Sequence, residues 1–149
     1  QPIPRRLLEA VVSAGYHAPS SKNLQTWRFT VLTNQAEIQA LKELIAATAQ
    51  RVGSFFFGYN NPQAVILVSN DQRNPSSIQD SACAVENILL AATSFALRTI
   101  CDEPEIRTKL DEYGIPQTHT VWSTIVLGWP AKEPKPIVKN PNVVHFVDK

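Results

Sequence analysis

Apolar residues recur at helical spacing along some stretches of the chain and alternate, or run unbroken, along others. Behind Pro4, whose fixed φ and missing N–H suit a first turn, Leu7, Leu8, Val11, Val12 and Ala14 form a helical stripe. Gly15 reads as the C-terminal punctuation of that helix. Trp27 to Leu32 alternates as a strand does, with Trp27, Phe29 and Val31 on one face. Asn34, with Glu37 three residues on, is a capping-box pattern for a second helix. Its buried stripe is Ile38, Leu41, Leu44 and Ile45, and it runs to about Gln50.

Pro62 opens a strand over Ala64 to Ser69, whose Val65-Ile66-Leu67-Val68 run predicts burial on both faces. Ile78 to Leu97 carries the longest helical pattern, with Val85, Leu89, Ala92 and Ala96 on one face and Ile88 and Phe95 beside it. Asp102, Pro104 and Glu105 read as the cap and first turn of a further helix ending near Tyr113-Gly114. Thr120 to Trp129 is a strand, in which strict alternation sets Val121, Ser123, Ile125 and Leu127 against Trp122, Thr124, Val126 and Gly128. Pro130 to Pro141 is rich in proline and lysine and excludes a helix; Val143 to Val147 reads as one last short strand. The irregular Phe55-Phe56-Phe57 is either a plug for a core or interface, or a lid over a flat ligand.

Length and composition narrow the class. A chain of 149 residues with 44% hydrophobic and 18% charged residues fits one folded domain spanning residues 1–149. A formal charge of +1, without a basic run, argues against a nucleic-acid partner. No apolar stretch reaches membrane-spanning length, and a cytoplasmic protein is the default expectation. Cys83 and Cys101 are too few for a disulfide framework and lack zinc spacing; Cys83 reads as a small buried apolar residue. There is no methionine, and glycine is scarce.

Candidate chemistry concentrates between the first helix and first strand. Pro19 stops the helix, and Ser20, Ser21, Asn23 and Gln25 offer donors and acceptors from a loop. From composition alone this is equally a capped corner or a binding loop. His17, His119 and His145 are far apart and stand in no metal-ligand spacing. No nucleophile elbow, phosphate-cradling glycine loop or dinucleotide fingerprint occurs, so no catalytic residue is named. An enzyme of this composition leaves the hard chemistry to a cofactor.

Four blocks resemble the nitroreductase family in order and type. Arg5-Arg6-Leu7-Leu8 through His17 and then APSSKNLQTWRF resemble the family's helix, A-P-S-x-x-N-x-Q-P-W loop and strand. NPQAVILVSND resembles its second strand, and DSACAVENILLAATSFAL, with the pair Glu86-Asn87, resembles its central helix. YGIP followed by TVWSTIVLGWPAKEPKP resembles the late strand and its basic, proline-rich tail.

The resemblance implies an α+β, three-layer fold, with a central, mostly antiparallel sheet flanked by helices, in a homodimer. It also implies an oxidoreductase that binds FMN and passes hydride from NAD(P)H to a small-molecule electron acceptor such as a nitro compound or quinone. Pro19, Ser20, Ser21, Asn23 and Gln25 match the family positions that serve the cofactor, with Pro62 and Gln63 as further neighbours. Lys132, Lys135 and Lys139 are phosphate candidates where the family often has Arg, or else belong to a solvated tail. Thr26 stands where the family usually has proline, which predicts a less rigid loop. The family pattern places an R-R-S-x-R clamp ahead of Gln1 and a glycine-rich turn after the central helix, and the expectation is that both belong to the whole protein. A flavin-binding or interaction protein without turnover is the alternative reading, because a scaffold does not guarantee an activity.

Overall fold

The computed structural model describes residues 1–51, 61–92, 103–130, 138–140, 142–144 and 146–147, with the backbone of 95–97. In chain order the elements are α1 (Arg5–Tyr16), a single 3-10 turn (Ser21–Asn23), β1 (Trp27–Leu32), α2 (Gln35–Arg51), β2 (Ala64–Asp71), α3 (Ser77–Ala91), β3 (Phe95–Leu97), α4 (Pro104–Glu112) and β4 (His119–Leu127). The sheet has the order β1-β2-β4-β3, and every pairing in it is antiparallel.

Two helical layers sandwich this sheet, as the three-layer expectation required. Val65 and Leu67 of β2 face Ile38, Leu41 and Ile45 of α2 and Ile106 and Leu110 of α4. The alternate residues Ala64, Ile66 and Val68 face Leu8 of α1 and Val85 and Ile88 of α3. Burial of both β2 faces is what its unbroken apolar run requires, here in an antiparallel sheet because helices cover both sides.

Several local expectations are corrected. Gly15 lies inside α1, not at its end, because a Cβ there would fall 2.8 Å from Ile88 Cδ1 and 3.2 Å from Phe29 Cε1. The close crossing of α1 and α3 demands the glycine. The helix expected over Ile78 to Leu97 stops at Ala91; Ala92 is extended (φ −137°, ψ 128°), and Phe95–Leu97 pairs with Val126, Ile125 and Thr124 of β4. Strand pairing overrides the helical propensity of the alanines.

The alternation read along β4 also breaks. A bulge between Val68 and Ser69 sets Val68 opposite Ser123 and Ser69 opposite Val121, leaving Trp122 as the extra residue. Val121 therefore joins Val126 on the α2/α4 face, while Ile125 and Leu127 stay on the other. Cys83 is exposed on α3, not buried. Asn34 caps α2 through its Oδ1, which accepts the N–H groups of Ala36 (2.9 Å) and Glu37 (3.4 Å). The Glu37 carboxylate does not close the box but accepts from Tyr113 Oη (3.1 Å) and pairs with Lys109 (2.8 Å). Residues 142–144 and 146–147 form no strand. Phe55–Phe57, Asp102, Lys132, Lys135 and His145 lie outside the described residues.

Candidate functional site

α1 delivers the chain to the end of the sheet where β2 finishes and α3 begins. Ala18 is buried there, and its N–H donates to Gly15 O at 3.1 Å. From Pro19 the chain turns through Ser20, which is extended, into the 3-10 turn. Lys22 (φ 52°), Asn23 (φ 55°) and Gln25 (φ 49°) all adopt left-handed backbone, although none is glycine. Asparagine enters that region readily; lysine and glutamine do so at a cost of roughly 1–2 kcal/mol each. Backbone strain concentrated in so short a segment is the kind found at ligand-holding loops.

The loop satisfies part of its hydrogen-bonding capacity internally and leaves part facing outward. Ser20 Oγ accepts the Gln25 N–H (3.1 Å), and Gln25 Nε2 donates to Asn23 Oδ1 (2.9 Å). Among the described residues, the Ser21 hydroxyl, the Lys22 ammonium and the Asn23 amide nitrogen have no partner within the protein. Lys22, Asn23 and Gln25 are exposed. This donor set of hydroxyl, ammonium and amide suits a polar ligand rich in oxygen acceptors, such as a polyol phosphate. The ribityl and phosphate portions of FMN have that character, so the residues present fit the cofactor.

Behind the exposed surface lies a buried polar cluster that the sequence did not reveal. Ser21 N–H donates to Asp80 Oδ1 (2.9 Å), and Asn74 Nδ2 donates to Asp80 Oδ2 (2.9 Å) and Thr26 Oγ1 (2.9 Å). Thr26 Oγ1 donates to Asn70 Oδ1 (2.7 Å), whose Nδ2 donates to Ser77 O and Ser81 Oγ. Asn70, Asn74, Asp80 and Ser81 are all buried. The sequence marked Asn70 to Ser77 only as a polar loop; the clue in it was a pair of amides just ahead of an acid in a helix's first turn. Of the pair Glu86-Asn87, part of the resemblance, Asn87 serves packing: its Nδ2 donates to Ala14 O (3.0 Å) and ties α3 to α1, while Glu86 is exposed.

On the other face of the same sheet end, Asp71 and His119 stand opposite one another. Hydrogen bonds from the Arg73 side chain and backbone hold the Asp71 carboxyl well below the usual carboxylate range. Burial lowers the His119 pKa, and Asp71 partly opposes that shift. The His119 ring lies 3.2 Å from the fully buried Ser69 hydroxyl, which is closed to any substrate. These groups are structural.

The structure brings Pro19, Ser20, Ser21, Asn23 and Gln25 together in one loop but does not bring Pro62 and Gln63 to them. The strand register sets Trp27 opposite Asn70 and Leu32 opposite Val65, which places the loop and Pro62 at opposite ends of β2. The eight-residue strand separates them by roughly 25 Å at ~3.3 Å per residue. Pro62 is buried, and the Gln63 N–H donates to Leu127 O. Lys139 is exposed. Among the described residues, no group of three or more His, Cys, Asp or Glu is placed to hold a metal ion, and no helix is long and apolar enough to cross a membrane.

An antiparallel sheet between two helical layers, with a strained polar loop docked on the first turn of α3, defines an α+β protein. The chain belongs to the Nitroreductase family, whose profile matches residues 1–129. It is 29% identical to a nitroreductase of Bacteroides fragilis solved with bound FMN, with a TM-score of 0.88 over 99% of this chain and 90% of that one. A protein of Archaeoglobus fulgidus, provisionally named an NADH dehydrogenase/NAD(P)H nitroreductase, is 28% identical over 138 residues, covering 85% of this chain and 74% of its own. An FMN-bound nitroreductase of Desulfitobacterium hafniense shares the fold, with a TM-score of 0.79 at 20% identity over 99% of this chain and 89% of that one.

Proposed function

We propose that the protein is an FMN-dependent oxidoreductase that passes hydride from NAD(P)H to a small-molecule electron acceptor, such as a nitro compound or a quinone. The observation that carries this reading is the loop itself: donors on Ser21, Lys22 and Asn23 that are unpartnered among the described residues, the last two on left-handed backbone, beside the first turn of α3. Membership in the nitroreductase family and the FMN in the Bacteroides fragilis relative support it.

FMN supplies the redox chemistry when bound, accepting and donating hydride at its ring. The protein's part is binding and orientation. Ser20 Oγ accepts one N–H from the loop and keeps its own proton for an outside acceptor. Ser21 and Asn23 supply a hydroxyl and an amide to ribityl or ring oxygens, and Pro19 supplies an exposed apolar edge. Lys132 and Lys135 are proposed to serve the phosphate as point charges, without the bidentate geometry of arginine.

The same reading includes a homodimer. α3 leaves Ile78 (50% exposed) and Leu90 (77% exposed) uncovered, with Ala82 and Cys83 also exposed between them. One chain also holds the loop and Pro62–Gln63 at opposite sheet ends, so this reading assigns both to one cofactor only across two copies. Anaerobic stopped-flow mixing of FMN-loaded protein with NADH or NADPH tests turnover. Bleaching of the flavin band, followed by recovery on adding a quinone or nitroaromatic, is expected. A flavin that binds but stays oxidised with both nucleotides would instead establish a binder without turnover.

A further inference from the structure

The family's usual proline after the loop glutamine is replaced here by Thr26, and a hydroxyl alone does not restrict the backbone as proline does. Yet Lys22, Asn23 and Gln25 stand in left-handed conformations that the surrounding structure must enforce. We propose that Thr26, Asn74 and Asp80 are positioning residues for the cofactor loop, replacing the missing proline with a directional relay of shielded hydrogen bonds. The inference rests on the FMN reading above and deepens it.

The relay grips the loop at both ends. Asp80 Oδ1 holds the Ser21 N–H at the start of the 3-10 turn, and Asp80 Oδ2 accepts from Asn74 Nδ2. The same Asn74 nitrogen donates to Thr26 Oγ1 where the loop becomes β1. Thr26 then donates its single proton to Asn70 Oδ1. Each direction is forced. Asn74 Oδ1 accepts the Ser76 N–H (2.9 Å), and Asn70 Nδ2 is engaged by Ser77 O (3.1 Å) and Ser81 Oγ (3.2 Å). Neither amide turns over without losing those bonds. Asn74 spends both its hydrogens, Thr26 both donates and accepts, and each Asp80 oxygen receives a nitrogen donor.

Because Asn70, Asn74 and Asp80 are buried and Ser21 and Thr26 partly so, removal of one partner leaves the next unsatisfied, which is costly away from water. The loop is thereby docked to the first turn of α3, and its exposed donors are fixed before any ligand arrives. Preorganisation of this kind raises affinity by removing the ordering cost from the binding step.

The experiment compares the wild-type protein with Thr26→Val, Thr26→Ser and Asp80→Asn. Valine keeps the shape and removes the hydroxyl, serine keeps the hydroxyl, and asparagine at position 80 turns an –NH2 toward a donor it replaced an acceptor for. Two readouts are taken: FMN affinity by flavin fluorescence, and amide hydrogen exchange at Ser21 in the FMN-free protein. Thr26→Val and Asp80→Asn are expected to weaken FMN binding by about tenfold and to speed Ser21 exchange by a similar factor, with Thr26→Ser near wild type. If Thr26→Val does not fold, Asp80→Asn carries the same comparison. Wild-type affinity and wild-type Ser21 protection in the hydroxyl-free or Asp80→Asn variant overturn the relay while leaving the flavin reading intact. A wild-type protein that binds no FMN overturns the flavin reading, and this inference with it.

Discussion

Gly15 of α1 and Ile88 of α3 meet so closely that a Cβ on the glycine would lie 2.8 Å from Ile88 Cδ1 and 2.9 Å from its Cγ1. Ile88 is fully buried, so it has little room to withdraw. Gly15→Ala gains helix propensity worth about 0.5–1 kcal/mol, but overpacking in a filled core costs about 1–3 kcal/mol. The variant is expected to be less stable by about 1–2 kcal/mol, read as a lower urea midpoint at unchanged slope. A midpoint at or above wild type would mean that the helices separate freely here.

Arg107 organises the approach to β4. Its guanidinium reaches Asp111 Oδ1 (2.6 and 2.9 Å), Ile115 O (2.6 Å) and His119 O (3.3 Å). Lysine cannot reproduce that fork. Arg107→Lys is expected to lose about 1–2 kcal/mol of stability, with α4 retained by circular dichroism because its Schellman end is intact. That end is made by Gly114 (φ 73°), with Gly114 N–H to Asp111 O at 2.9 Å and Ile115 N–H to Leu110 O at 3.1 Å.

How much of this was legible in the sequence depends on how far apart the cooperating residues lie. α2 was readable because Asn34 and its stripe are local, and β2 because its apolar run needs no partner to be recognised. The end of α3 was not, since the strand state of Phe95–Leu97 is decided by pairing with β4. The facing of Val121 was hidden because a bulge opposite Val68 and Ser69 shifts the phase. In the site, Ser20 to Gln25 announced themselves as a polar loop. Asp80, Asn74 and Asn70 did not, because they meet Ser21 and Thr26 only through contacts spanning 59, 48 and 44 residues. Thr26 looked like a loosened lock, whereas its hydroxyl makes two hydrogen bonds.

His119 gives the fold a pH dependence of definite sign. Burial favours its neutral form, and the charges of Arg28, Arg107 and Arg73 add to that, with Asp71 opposing. The folded pKa lies below the ordinary 6.5, so the unfolded chain takes up the proton first as pH falls. Stability is expected to decline as pH falls below about 7 and to level off once the folded histidine is also protonated. Glu37 and Asp71 are shifted down and contribute only at more acidic pH, each losing its stabilisation as pH falls through its lowered pKa. Urea midpoints at pH 7.5 and 5.5 should differ less in His119→Gln than in wild type; an equal difference would remove His119 from the account.

Left-handed backbone decides how the loop is best probed. Alanine at position 23 or 25 would combine loss of a side chain with strain, whereas glycine accepts φ of 55° or 49° freely. Asn23→Gly and Gln25→Gly are therefore expected to weaken FMN binding by about tenfold while changing stability by no more than about 1 kcal/mol. Full flavin affinity in both variants would remove these side chains from the cofactor site.

The most direct measurement is reconstitution. Purified protein is mixed with excess FMN and desalted, and its absorption spectrum is compared with that of the Asn23→Gly variant treated identically. Near-stoichiometric flavin bands in the wild type, reduced in the variant, are the expected result. A wild-type protein that leaves the column with no flavin band would contradict the account at its centre.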